Sequence, residues 1–496
     1  MPDVEQVIHT RRVPHHLWHA ATPTIPPAVL PRISPTPAQE RQTRAGEVRP
    51  GDRLRTYRDR TRADRGRSAT VSGERLLLVS TNYAPEHAGI GPYATQIAEH
   101  WAQDRGAEVH VLAGMPHYPA WRTDPAYRRT WRTVDEREGV LIHRRRHAVP
   151  ARQSAARRAL YEATILGHGL LAPPRIAPPH AVVAQVPSLA GGVLAARLAR
   201  RYGVPFVPVI QDLMGAAAAQ SGMRGGGRAA SAAARIERRV LREARLVGVI
   251  HDSFRPRVRA LGVPDDRVRL VPNWTHIPAP SGHEPDRAAV RARLGWRSGQ
   301  TVVLHAGTMG LKQGLETAIA AARLAPELRV VLMGDGSQRP HLAALARDVP
   351  NAELLPPVPN EEFPGVLAAA DILLVTQRAS VLDMSVPSKL TSYFAAGRPV
   401  LAAVAAGGGT AEEIRRSGAG RLVPPEDPAA LAAAARGLAA DPRAAARLAA
   451  RGRAYARGNL TREEGLARVS ALLDEALGGP RDGAHTPAGA GAGGAR

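Results

Sequence analysis

Of the 67 Lys and Arg residues in this chain, two are lysines, Lys312 and Lys389. Lys312 ends the stretch His305-Ala306-Gly307-Thr308-Met309-Gly310-Leu311-Lys312, and Gln313-Gly314 follow. An apolar run of strand length precedes this loop. Its glycines allow a ligand close to the backbone, and Lys312 adds a compact cation just before a helix. That is phosphate-site chemistry. The spacing is not that of a Walker loop, so nucleotide hydrolysis is not implied. Lys389 lies in Pro387-Ser388-Lys389-Leu390-Thr391-Ser392. Pro387 can open a helix without losing a hydrogen bond, which puts Ser388 and Lys389 in the first turn. Free N–H groups, a hydroxyl and an ammonium there form an anion trap. The lysine opposes the helix dipole until an anion arrives. A chain that uses arginine almost everywhere keeps lysine at two helix starts, which argues for a diphosphate ligand.

Other stretches carry less specific signals. Gly334-Asp335-Gly336-Ser337 follows a strand and suits either a nucleotide-facing turn or a structural loop. Gln211-Asp212 ends a buried-looking strand. Asp212 is a candidate for catalysis or for orienting a substrate, with a helix cap as the alternative. Upstream, a strand-to-helix turn contains Asn82, Gly89, Gly91 and Tyr93. Its glycines admit a substrate or serve only the turn. Tyr118 and Trp121 offer aromatic faces to a sugar or pack a loop. Glu412 and Glu413 suit the first turn of a helix. The run from Arg144-Arg145-Arg146 to Tyr161 fits a solvated arginine-rich helix or an interfacial helix on anionic lipid.

The elements that must position these residues follow from a coarse pass. With 496 residues, 44% of them hydrophobic, the chain can bury two cores of about 150–200 residues each. The absence of cysteine excludes disulfides and cysteine metal sites. Neither a spanning apolar run nor a signal core is found, so the expected place is the cytoplasm, including the inner face of the plasma membrane. A net charge of +23 favours anionic partners, an anionic membrane surface among them. Nucleic acid is not expected, since no zinc spacing, helix-turn-helix or aromatic RNA motif occurs. Residues 1–73 are rich in proline and then in Arg and Asp, which predicts a disordered extension. The Gly/Ala-rich tail, 478–496, is expected to be flexible. Between the tails, strand-length runs fall at Arg75–Ser80, Glu108–Ala113, Ala181–Val186, Pro205–Ile210, Leu246–Ile250 and Arg267–Val271. After a Pro/Gly/Asp-rich link near Ile277–Asp286 they resume at Thr301–Ala306, Arg329–Met333, Asp371–Val375 and Pro399–Ala403. Alternation with alanine-rich helices predicts an α/β architecture of two doubly wound, Rossmann-like domains, 74–278 and 279–477, facing across a cleft. Ligands in such sheets sit at the carboxyl ends of the strands.

At these residues the chain resembles glycosyltransferase family 4, a retaining family with the GT-B fold, and within it the WcaI-type colanic acid/exopolysaccharide branch. The resemblance rests on Asn82-Tyr83-x-Pro85-Glu86-x-x-Gly89-Ile90-Gly91-x-Tyr93, Tyr118-Pro119-x-Trp121, Gln211-Asp212, Pro272-Asn273-Trp274, Lys312-Gln313-Gly314-Leu315-Glu316 and Pro387-Ser388-Lys389-Leu390-Thr391. It covers roughly residues 74–475. It implies a nucleotide-sugar donor held by the C-terminal lobe, through Gly307, Thr308, Lys312, Gly334, Gly336, Pro387, Ser388, Lys389, Leu390 and Ser392. It implies a glycan or lipid-linked acceptor met by the N-terminal lobe, with Asn82, Gly89, Gly91, Tyr93, Tyr118 and Trp121 in the closure loops. No cofactor and no metal are expected, and the last helix is expected to pack back on the N-terminal lobe. Lys312 would neutralise the leaving diphosphate, with Asp212 as the second catalytic candidate. The chain departs from the family in three ways. Thr308 stands where many members have arginine. Met384 and Ser392 replace paired glutamates, with Asp383 a candidate substitute. Gln185-Val186-Pro187-Ser188 lacks a histidine. These departures leave open a sugar-nucleotide epimerase of the same fold, or a catalytically weak scaffold.

Overall fold

The computed structural model describes residues 73–87, 89–118, 120–150, 154–186, 188–213, 226–275, 286–381 and 388–478. The expected disordered extension, the tail beyond Gly478, most of the link near 277–286, Pro387, Asp383 and Met384 lie outside the described residues.

The apolar runs become two sheets. The first contains β1 (Arg75–Val79), β2 (Glu108–Gly114), β3 (Arg132–Arg137), β4 (Val140–Arg145), β5 (Ala181–Val186), β6 (Phe206–Ile210), β7 (Val247–Val249) and β8 (Val268–Leu270). Their order is β3-β4-β2-β1-β5-β6-β7-β8, parallel except for β3. The second contains β9 (Thr301–Ala306), β10 (Leu328–Met333), β11 (Ala352–Leu355), β12 (Ile372–Thr376), β13 (Val400–Ala403) and β14 (Gly420–Val423), ordered β11-β10-β9-β12-β13-β14 and all parallel. Strands covered by helices on both faces need apolar residues at every position rather than at alternate ones. β1 shows this: Leu76 and Leu78 join one core cluster, and Leu77 and Val79 the other. Each sheet therefore has two cores, one per face. This is the α/β architecture of two doubly wound domains that the alternation implied, and it agrees with the GT-B fold that the resemblance implied.

The β3–β4 hairpin was not expected. Glu138 and Gly139 both have positive φ, the signature of a two-residue type I′ turn. The hairpin corrects the interfacial and solvated readings of the arginine run, because Arg144 and Arg145 are strand residues and buried. Arg144 pairs with Asp135 and donates to Ala84 O, and Arg145 donates to Ala172 O. Only the later part of the run, from Ala155, is helical, in Ala155–Leu171.

The last helix, Arg462–Leu477, returns to the first sheet. Leu466, Val469, Leu472 and Leu473 share a core cluster with Leu76 and Val109. Gly465 lets it lie against Trp274, since a Cβ there would overlap the indole. No helix among the described residues is long and apolar enough to cross a membrane.

Candidate functional site

In an open parallel sheet the crevice forms where the strand order reverses. In the second sheet that point lies between β9 and β12, and the loops leaving β9, β10 and β12 are laced together there. Gly307 N donates to Met333 O (2.9 Å), Met309 N to Asp335 O (2.8 Å) and Gln338 N to Met309 O (3.0 Å). Gly307, Gly334 and Gly336 have φ of +135°, +145° and +152°, values that favour glycine. A Cβ on Gly334 would stand 1.9 Å from Gly307 O, and one on Gly336 2.4 Å from Met309 O. These two glycines, read from the sequence as donor contacts, act on the neighbouring loop's backbone.

Lys389 is the first residue of the helix Lys389–Ala396, behind Ser388. Its side chain turns back under the β9 loop, so that a Cβ on Gly307 would meet Nζ at 3.3 Å. Nζ lies 3.2 Å from His305 Nε2. Burial pushes the Lys389 ammonium down to about 7. Burial first, and the Lys389 charge second, hold His305 well below the usual histidine range. No carboxylate pairs with Lys389 among the described residues. Lys389 is half-buried, and a desolvated cation that no described carboxylate balances costs stability until an anion supplies its partner. Lys312 is exposed, on the short turn Leu311–Gln313 closed by Gly314 at φ +56°. Arg378, to which the sequence reading assigned no role, holds this turn. Its N donates to Lys312 O (2.9 Å), its Nε to Leu311 O (2.8 Å), and its guanidinium pairs with Glu316 and Glu426. The only prior hint was its position just past a strand's carboxyl end.

Around these two lysines Ser388 and Thr308 are exposed and Ser392 is half-buried. Leu390 points into the core, 1% exposed, so its side chain is packing rather than a ligand contact.

Asp212 comes from the first lobe, just after β6. Burial raises its carboxyl above the ordinary range, against the opposing pull of Lys312, of the Leu213 main chain and then of Arg158. The Lys312 charge thus reaches Asp212 across the two lobes. Asp212 Oδ1 is buried without a hydrogen-bond partner. The neighbouring Gln211 exchanges hydrogen bonds with Asn273 and reaches Gln185.

The upstream loops are fastened by Glu86, which the sequence reading quoted without a role. Its Oε2 accepts from Asn82 Nδ2 (2.8 Å), and its Oε1 from His117 N (2.7 Å) and Tyr118 N (2.8 Å). Gly91 is needed because a Cβ would lie 3.0 Å from Glu86 O. Gly89, at φ +65°, faces the Tyr118 ring. Trp121 stacks edge-on or tilted with His117, Tyr118 and Tyr161. Tyr93 is not part of this surface. It is 3% exposed, donates to Trp274 O (3.0 Å) and meets that indole edge-on at 5.0 Å. It therefore packs inside the core of the first lobe, where both residues belong. A brace does cross the lobes, where His251 Nε2 lies 3.1 Å from Glu413 Oε2 and Arg416 pairs with Asp252.

Residues 88–274 match the family described as glycosyl transferase 4-like domain, and residues 300–441 match glycosyl transferases group 1. The chain is 31% identical over 334 residues, 65% of its length and 81% of the relative's, to WcaI of Escherichia coli (strain K12), named as a colanic acid biosynthesis glycosyl transferase. The chain belongs to glycosyltransferase family 4, in its WcaI-like group.

Among solved structures, sucrose-phosphate synthase of Thermosynechococcus elongatus superimposes with a TM-score of 0.64 at 19% identity, covering 81% of this chain and 98% of that one. HepE of Anabaena, solved in complex with UDP, gives 0.58 at 18% identity, covering 81% and 100%. At such identities the likeness concerns the fold. This family 4 glycosyltransferase places its two lysines and its two Gly-rich loops at the switch point of the second lobe. Among the described residues no group of three or more His, Asp or Glu side chains could hold a metal ion.

Proposed function

We propose that this glycosyltransferase transfers a sugar from a nucleotide-sugar donor to an acceptor hydroxyl with retention of configuration. The observation that carries the reading is Lys389 beneath Gly307 with no carboxylate partner among the described residues, together with the Lys312 charge that reaches Asp212 across the lobes. The donor's diphosphate is an anion that Lys389 can receive there. As the glycosidic bond to the diphosphate breaks, negative charge grows on the leaving oxygen. Lys312 and Lys389 offset it. The acceptor hydroxyl attacks from the same face and passes its proton to the leaving phosphate, so no strong protein base is required. Asp212 orients the acceptor or stabilises positive charge on the sugar. The two lysines supply the positive charge without a metal. The UDP bound by HepE supports a nucleotide donor, and the name of WcaI supports a glycan or lipid-linked acceptor of the exopolysaccharide type.

We also place membrane contact in this reading. The helices Leu189–Tyr202 and Gly226–Glu243 border a groove in which Arg197, Arg200, Arg201, Arg235, Arg238 and Arg239 surround Ile236. An arginine-rimmed apolar groove suits anionic headgroups.

A thermal-shift screen of nucleotide-sugars tests the donor, since a ligand bound by the native state raises stability. The donor found is then used with a glycan acceptor, and the anomeric configuration of the product is read by NMR. Retention is expected. An inverted product, or turnover of the donor without any acceptor, would defeat the proposal.

A further inference from the structure

The strand order of the first sheet reverses between β1 and β5, so a crevice of its own opens at their carboxyl ends. The helix Ala155–Leu171 is fastened there. Glu162, on its second turn, accepts through Oε2 from Ser188 Oγ (2.6 Å) and Ala190 N (2.9 Å), just past β5. Its other oxygen, Oε1, takes Arg158, from Nε at 2.9 Å and from Nη2 at 2.6 Å. Arg158 is thus tied to the end of β5 through one carboxylate, while its side chain stays 31% exposed.

Arg158 also lies over the Tyr161 ring, 4.9 Å from its centroid. Trp121 meets the same ring at 5.8 Å. Tyr161 is buried and serves as the spacer between them. Trp121 is half-buried and sits at φ +48°, a conformation that a bulky residue rarely adopts and that persists only where its surroundings fix it. Burial raises Asp212 and lowers His117, and the Arg158 charge is felt at both. An indole and a guanidinium therefore flank one buried tyrosine, within electrostatic reach of the residue read above as orienting the acceptor.

Neither structural duty requires an arginine. The cap on the helix after β5 is made by the Glu162 oxygen that Arg158 does not use, and an apolar stem would cover Tyr161 equally well. What the guanidinium adds is a permanent charge and a planar fork of donors, which matches a carboxylate or a phosphate. We propose that the acceptor is an acidic sugar, whose carboxylate or phosphate is received by Arg158 beside Trp121. This rests on the reading of the first lobe as the acceptor side.

The test uses the full chain saturated with UDP, with sugar binding measured by calorimetry. The probes are methyl glucuronoside, glucose 1-phosphate and the neutral methyl glucoside; the first two separate a carboxylate from a phosphate. Wild type is expected to bind at least one charged probe about tenfold more tightly than the neutral one, the scale of one hydrogen bond to a charged group. Arg158→Gln is expected to remove that advantage and leave UDP affinity unchanged. Where it does not fold, Arg158→Met takes its place, because its stem still covers the Tyr161 ring. Arg158→Lys, a charge without the fork, should retain part of the advantage. Arg157→Gln, exposed on the same helix, should match wild type. Trp121→Ala should weaken charged and neutral probes by a common factor. Equal binding of charged and neutral sugars by wild type, an advantage that survives Arg158→Gln, or an equal loss in Arg157→Gln overturns the proposal. So does Trp121→Ala if it spares every probe, and Lys312→Ala if it, rather than Arg158→Gln, removes the advantage, since the anion would then sit in the donor site. UDP binding is measured first. Its absence overturns the donor reading instead, and the sugar probes then decide this proposal on the unliganded chain.

Discussion

Gly334→Ala is the sharpest test of how the second lobe builds its site. The added Cβ would stand 1.9 Å from Gly307 O, whereas an ordinary carbon–oxygen contact needs about 3.3 Å. The two loops must therefore part by roughly 1.4 Å. That movement pulls on the bond from Met309 N to Asp335 O, a loss of about 1 kcal/mol. Holding alanine at φ +145° adds about 1–3 kcal/mol of strain. The sum, about 2–4 kcal/mol, lies in the range of a damaging single substitution. It corresponds to a fall in Tm of roughly 5–15 °C for a lobe of this size. Because Gly307 also faces Lys389 Nζ, the anion site shifts with the loop. A displacement near 1 Å costs on the order of 100-fold in catalysis, so kcat/KM for the donor falls alongside Tm. Gly299→Ala is the control. Gly299 has φ +80° but nothing within 4 Å of a Cβ, so only about 1–2 kcal/mol of strain is at stake. Calorimetric melting and donor kinetics on both variants decide. If Gly334→Ala melts and turns over like Gly299→Ala, the loop contact does not hold the site and the reasoning fails.

Lys312→Ala is expected to leave Tm unchanged, since the side chain is exposed, and to lower kcat by on the order of 100-fold; transfer within a few-fold of wild type would remove its role. Asp212→Asn separates stability from function. Burial raises the Asp212 carboxyl, so its charged form costs stability above its raised titration range, and the amide should raise Tm at pH 7.5 while slowing transfer. Lys389 makes donor binding pH-dependent. Held down to about 7, it is charged below that value and neutral above it, so UDP affinity should fall as pH rises from 6.5 to 8.5, by up to about tenfold per unit; a flat profile would contradict a binding role for its charge. Glu86→Gln keeps the shape but weakens the charge-assisted bonds to His117 N and Tyr118 N, so acceptor KM should rise about tenfold with donor KM unchanged.

Much of the molecule was legible along the chain. The ten predicted strands form within a residue or two of their expected ends, because buried parallel strands are continuous apolar runs and show in one dimension. The β3–β4 hairpin escaped because Arg132–Arg137 is largely charged and its partner ends in arginines. Only the Glu138-Gly139 turn marked it. β11 and β14, four residues each at the sheet edges, are too short to stand out from their flanks. Arg378 and Glu86 could not be singled out, since each acts through main-chain groups of a loop distant in sequence. Tyr93 lay inside a recognisable motif, yet its partner Trp274 is 181 residues away.

What the sequence determined by itself is the chemistry available: two lysines among many arginines, each at a glycine- or proline-marked turn, in a chain whose continuous apolar runs build buried parallel strands. What the tertiary structure decided is which of those groups meet. Lys389 lies against His305, 84 positions earlier, and Lys312 acts on Asp212 from the other lobe. The reason is physical. Strand and helix periods are local and can be read from neighbours. The burial that lowers Lys389 and raises Asp212 exists only once the sheets have stacked their helices and the lobes face each other.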